Sequence, residues 1–173
     1  MSATNDRLVV RPLAESDAEA FQALRLKATV DAPFAIWPTY EEEAARTRQE
    51  VEASMRFTSH QFVYGAFDDQ ELVAIAGLRR VPLKKVEHKA TLWGVFVEPS
   101  YRRSGIARRL LSALIVQARA SDIRQVHLAV GANNPRARAL YESLGFKSYG
   151  IEPNAMLVDG QFIDEELMIA SLS

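Results

Sequence analysis

The stretch Val97-Glu98-Pro99-Ser100-Tyr101-Arg102-Arg103-Ser104-Gly105-Ile106-Ala107 carries an apolar strand through a short basic turn into the first turn of a helix. The run before it, Ala90-Thr91-Leu92-Trp93-Gly94-Val95-Phe96-Val97, is rich in β-branched and aromatic residues and stops at Glu98-Pro99, which predicts a buried strand. After the turn, Ile106, Ala107, Leu110, Leu111, Leu114, Ile115 and Ala118 recur at helical spacing, while Arg108, Arg109, Gln117 and Arg119 fall elsewhere on the wheel.

The turn therefore ends at a helix N-terminus, where free N–H groups and a partial positive charge favour an anion. Gly105 and Ala107 let a ligand approach the backbone. The helix dipole is worth only ~0.3–1 kcal/mol, so Arg102, Arg103 and Arg108 are the candidates to pair with phosphate oxygens. The nucleotide P-loop is excluded because no Lys-Ser or Lys-Thr follows the glycine, and the dinucleotide fingerprint because there is no G-x-G-x-x-G. An ordinary strand-to-helix turn with exposed arginines fits the same residues equally well.

Arg102, Gly105 and Ala107 resemble the acetyl-CoA signature of the GNAT superfamily of N-acyltransferases: Arg or Gln, two residues, Gly, one residue, Gly or Ala. Further on, Asn134, Tyr141 and Gly145-Phe146 match the asparagine, the tyrosine seven positions later and the Gly-Phe of the same family. The motif detail covers Ala90 to Phe146, and the order of elements extends the resemblance from Leu8 to the C-terminus. It implies an α/β fold: a mixed, largely antiparallel sheet of about seven strands, splayed between strands 4 and 5 and flanked by about four helices. It also implies transfer of an acetyl group from acetyl-CoA, as cosubstrate, to a primary amine of a small molecule or a peptide N-terminus, with no metal. Val95, Phe96 and Val97 then become the strand backbone beside the pantetheine arm. Arg102 and the backbone from Arg103 through Ser104, Gly105, Ile106 and Ala107 to Arg108 become the pyrophosphate site. Asn134 touches the cofactor, and Tyr141 is the acid that protonates the departing thiolate. From the residues alone, Asn134 is a helix cap and Tyr141 a core tyrosine on the stripe of Ala137 and Leu144.

Toward the N-terminus, Leu8-Val9-Val10-Arg11 reads as a strand ended by Pro12, and Ser16 with Glu19 as a capping box ahead of Phe21, Leu24 and Ala28. Thr39 with Glu42 offers a second capping box, for one helix from about Tyr40 to Arg56. His60 to Phe67 and Glu71 to Val81 read as a hairpin. Toward the C-terminus, Gln125 to Val130 is a strand parallel to the one before the signature. Asn134-Pro135 starts a helix that Gly145 ends, and Phe146 to Ile151 and Phe162 to Ala170 are the last strands.

The 173 residues are expected to form one N-acetyltransferase domain, 1–173; a domain of that size buries ~70% of its unfolded surface. With 21 basic and 22 acidic side chains, charge gives no hint of a nucleic-acid partner. No cysteine is present, which excludes a disulfide framework and a cysteine nucleophile and suits a reducing compartment. The start of the chain shows no apolar leader and no stretch is long and apolar enough to span a bilayer, so a cytoplasmic protein without a membrane partner is expected. Whether it works as a homodimer is left open.

The general base is the weakest part of the pattern. Where histone-acetylating and N-terminus-acetylating members carry glutamates, this chain has Thr91 and Ala129. The remaining candidates are Glu41, Glu42, Glu43, His88, Asp164 and Glu165, each of which also fits a solvated surface group. For the acceptor pocket, Phe34, Trp37, Tyr40 and Glu42, with His88, are the expected substrate-side residues. Aromatics between two helices fit the edge of a core as well. A non-catalytic acyl-CoA-binding or sensor protein of the same fold, and a phosphate-binding module unrelated to CoA, are the alternative functions.

Overall fold

In the computed structural model, which describes residues 7–172, a seven-stranded sheet carries helices on both faces. The elements are β1 (Leu8–Pro12), α1 (Ala18–Asp31), α2 (Tyr40–Ala44), α3 (Arg48–Met55), β2 (Gln61–Asp68), β3 (Glu71–Arg79), β4 (Lys89–Val97), α4 (Ile106–Ala120), β5 (Gln125–Gly131), α5 (Pro135–Ser143), β6 (Lys147–Val158) and β7 (Gln161–Ser171). The reading of the first six residues lies outside the described residues. No helix among the described residues is long and apolar enough to cross a membrane.

The strands lie in the order β1-β2-β3-β4-β5-β7-β6. Every neighbouring pair is antiparallel except β4 and β5, which α4 joins as a parallel crossover. That one parallel pair is short: Lys89, Ala90 and Thr91 match Gln125, Val126 and His127, and beyond them the strands part. A bulge in β4 lies where they part, since Gly77 pairs with Trp93 but Ile75 pairs with Phe96. Gly94 takes the left-handed backbone this needs, with φ +64°.

On one face, Leu110, Leu111 and Leu114 of α4 and Tyr141 of α5 pack against Val73, Leu92 and Leu128. On the other, Phe21 and Leu24 of α1 and Val51 and Met55 of α3 cover Ile75 and Phe96. The two apolar stripes face opposite sides of one sheet, so the gap between β4 and β5 runs between two solid cores.

Three expectations are corrected. The stretch from Tyr40 to Arg56 is two helices, not one, which makes five α-helices among the described residues: a second capping box, Thr47 with Glu50, starts α3 afresh after α2 has ended. The Ser16 cap is not used. A 3-10 turn at Glu15–Asp17 precedes α1, and the capping carboxylate is Asp17, which accepts the Ala14 N–H at 2.7 Å and is held by Arg11. Strand β6 does not stop at Ile151 but continues to Val158 past an irregularity between Glu152 and Met156, with Asn154 at φ +52°.

Candidate active site

The parting of β4 and β5 opens a cleft of about 830 Å³ that passes through the sheet. On the α4–α5 side it is lined by Arg103, Gly105, Ala107, Arg108, Asn134 and Tyr141. Trp93 through Val97 of β4 and Leu128 through Gly131 of β5 form its walls. From Leu92 on, the edge of β4 that faces β5 has no strand partner, and the bulge takes Gly94 and Val95 out of register with β3 as well. Backbone N–H and C=O groups are thus available along the wall to an extended ligand.

At the N-terminus of α4, Gly105 is the cap residue at φ +80°, with no side-chain cap and nothing within 4 Å of where a Cβ would stand. The first helical bond runs from the Arg109 N–H to the Gly105 carbonyl at 3.1 Å, so the N–H groups of Ile106, Ala107 and Arg108 precede it. Such a helix start favours an anion. The expected residues do not all turn side chains toward it. Arg102 donates from Nε to the Val97 carbonyl at 3.0 Å, pairs with Asp31 and stacks over Phe96, so its charge is already committed to the protein. Ile106 is in the core, and Ser104 hydrogen-bonds the Tyr101 carbonyl. Arg102 lines the cleft all the same, as do Arg103 and Arg108 beside Ser143.

Tyr141 is 8% exposed and meets Phe146 edge to face at 5.8 Å. Its hydroxyl has no hydrogen-bond partner among the described residues, and burial pushes its pKa up to about 12. Asn134 caps α5, accepting the Ala137 N–H at 3.1 Å, and also lines the cleft.

On the α1–α3 side, Phe34 and Trp37 line the cleft as expected, but Tyr40 and Glu42 do not. Glu42 is bound into its capping box, accepting the Thr39 N–H at 2.8 Å, and one residue on it is Glu43 that turns inward, wholly buried. His88 is misplaced as a substrate residue. It sits just before β4, where its carbonyl accepts from Arg124 and Gln125 at the closed end of the β4–β5 pair, away from the splay. Among the carboxylates named as bases, Glu165 lines the cleft and is 4% exposed; burial, with a smaller push from the charge of Glu152, raises its carboxyl, while a hydrogen bond from Trp37 draws it down. Asp164 instead accepts the Asn154 N–H at 2.8 Å.

Four residues that sequence reasoning missed complete this half: Arg25, Arg46, Arg79 and Trp93. Arg25 had a signal, because it lies in the buried stripe of Phe21, Leu24 and Ala28 where periodicity calls for an apolar side chain. Gly94, inside an apolar strand, was a signal for the bulge.

The cleft thus joins a splayed parallel pair to a helix start whose first N–H groups have no helical partner. The chain matches the acetyltransferase (GNAT) family over residues 24–146 and belongs to it. It is 30% identical to N-alpha-acetyltransferase RimI of Mycobacterium tuberculosis over 165 residues, 92% of this chain and 91% of that one. To the ribosomal protein bS18-alanine N-acetyltransferase of Escherichia coli K12 it is 42% identical over 66 residues, a match spanning 38% of this chain and 45% of that relative. A GNAT acetyltransferase from Streptococcus pneumoniae superposes with a TM-score of 0.87 at 24% identity, covering 96% of this chain and 99% of the other. A putative acetyltransferase from Salmonella typhimurium, solved with acetyl-CoA, superposes with a TM-score of 0.85 at 20% identity, covering 96% and 95%.

Proposed function

We propose that this chain is an N-acetyltransferase that moves an acetyl group from acetyl-CoA to a primary amine by direct attack. The observation that carries the reading is the continuity of one cleft, which joins the free N–H groups of α4 to Tyr141 and on to Glu165. The residues present fit the cosubstrate. The α4 N-terminus with Arg103 and Arg108 suits a pyrophosphate, and the unpaired edge of β4 suits an amide-bearing arm. Support comes also from the relatives, named as a ribosomal protein bS18-alanine N-acetyltransferase and an N-alpha-acetyltransferase, and from the acetyl-CoA held in a structure of the same fold.

Acetyl-CoA supplies the activated acetyl group as a thioester. The β4 bulge offers backbone N–H groups to polarise its carbonyl. Glu165 receives the proton of the acceptor ammonium, its raised carboxyl bringing it nearer the amine in basicity. Tyr141 stays protonated at every pH of a normal assay and gives its proton to the departing sulfur. With no cysteine in the chain, an acetyl-cysteine intermediate is excluded.

The test is release of CoA thiol from acetyl-CoA over a panel of amino acids, polyamines, aromatic amines and peptides. With the responsive amine, Tyr141→Phe is expected to lower kcat by roughly 100-fold while leaving the KM for acetyl-CoA nearly unchanged. Absence of release with every amine, together with stabilisation of the fold by CoA, would favour a sensor.

A further inference from the structure

Three guanidiniums, Arg25, Arg46 and Arg79, and two carboxylates, Glu43 and Glu165, line the α1–α3 side of the cleft. Glu43 accepts from Arg25 Nε and from Arg46 Nη1, each at 3.0 Å and both on Oε1. One carboxylate balances one guanidinium. Arg79 lines the same half and its guanidinium makes no ion pair or hydrogen bond among the described residues, so with Glu165 counted as the second carboxylate three guanidiniums still leave this half cationic by one charge. Arg25 is 6% exposed, yet Nε to Glu43 is the only hydrogen bond its guanidinium makes among the described residues. Its two Nη groups have no protein acceptor among the described residues and stay accessible to solvent, while Trp93 and Phe21 lie against the guanidinium.

The placing of these groups points to what the open Nη groups can receive. Arg25 Nη1 lies 3.2 Å from where a Cβ on Gly94 would stand, so the guanidinium reaches the β4 bulge itself. Arg79 approaches the Trp93 ring at 5.7 Å and Arg25 approaches it at 5.6 Å. The indole lies across Gly77, where a Cβ would fall 2.4 Å from the ring, so β3 and β4 hold the aromatic surface that both arginines share. If the thioester carbonyl meets the bulge, an anion bound to Arg25 lies next to the reacting nitrogen rather than at the far end of a long substrate.

We infer that the acceptor is an amine carrying a carboxylate within a few bonds of its nitrogen, an α-amino-acid type of substrate, held by Arg25 and Arg79 against Trp93. This rests on the acetyltransferase reading. A polyamine is repelled by the same charges, and a peptide N-terminus presents a neutral amide where the carboxylate is needed.

The experiment compares L-alanine, L-methionine and L-phenylalanine with their carboxamides and with dipeptides that begin with the same residues. CoA release is followed at fixed pH. The carboxylates are expected to exceed the matched amides in kcat/KM by about 10-fold or more, the range of one charge-assisted hydrogen bond. Arg79→Gln, at an exposed position, is expected to collapse that preference by raising KM for the acids by about 10- to 100-fold, with a much smaller change for the amides. Arg25→Lys keeps a cation beside Glu43 but loses the planar fork, and is expected to erode the preference in the same direction. Amides and dipeptides turned over as well as the acids, or both classes falling equally in Arg79→Gln, would overturn the inference and leave the acetyltransferase standing. No release with any amine would overturn both.

Discussion

Tyr141 and Glu165 are two buried ionisable groups whose carboxyl and phenol burial pushes in the same direction, with opposite consequences for function. For Tyr141 the shift keeps the proton on the donor. For Glu165 it makes a better proton acceptor at a cost to the fold. A carboxyl raised in the folded state binds its proton more tightly there than in the unfolded chain, so its favourable contribution is complete below the unfolded pKa and is lost as pH rises through the folded one. Glu165→Gln cannot ionise. Its Tm is therefore expected to exceed that of the wild type at neutral pH, with the difference shrinking as pH falls into the acid range, in paired thermal melts. The same variant is expected to lose roughly 100-fold in kcat. A Tm difference that grew in acid would mean that Glu165 is held as a stabilising carboxylate instead.

At the scale of elements, the β4 bulge joins fold and chemistry. It ends the β4–β5 pairing, turns backbone groups into the cleft and sets the aromatic and cationic surface on the acceptor side. Gly94→Ala puts a Cβ on a left-handed backbone, at about 1–3 kcal/mol, and pushes that Cβ to within 3.2 Å of Arg25. Loss of several degrees in Tm and a raised KM for the amine are expected, with KM for acetyl-CoA moving less, as kinetics on the purified variant would read. The α4 side of the candidate site could be laid out from the sequence because it is local: strand, turn and helix start follow one another from Ala90 to Arg108, and Asn134 caps its helix as its position requires. The other half was legible only in part: Phe34, Trp37 and Glu165 were named and line the cleft, but Arg25, Arg46, Arg79 and Trp93 were not, because the half is assembled from α1, α2, β3, β4 and β7, and no spacing along the chain marks Glu43 apart from Glu41 and Glu42. Only the fold shows that Glu43 turns inward while Glu42 is used as a cap. His88 was misjudged for the same reason: a parallel pair puts the starts of both strands at the end opposite the opening.

At the scale of the molecule, the sheet is two antiparallel blocks, β1 to β4 and β5 with β7 and β6, joined directly by three residue pairs and bridged by α4. A ligand in the gap touches both blocks, so its binding energy adds to the cohesion of the whole sheet. At about 100 times its Kd, a ligand that binds only the folded state adds ~2.7 kcal/mol, worth several degrees of Tm in a chain of this size. CoA and acetyl-CoA are expected to raise Tm by similar amounts, because the α4 N–H groups and the β4 edge hold parts that the two share. Hydrogen exchange should locate the gain. Protection is expected to rise at Gly94 to Val97, Ile106 to Arg108 and Leu128 to Gly131, and to change little in β1 and β2, which lie beyond the cleft. Equal protection throughout the sheet would mean that the ligand acts on global stability alone. Protection confined to α4 would mean that only the pyrophosphate end is held, and that the arm does not enter between the strands.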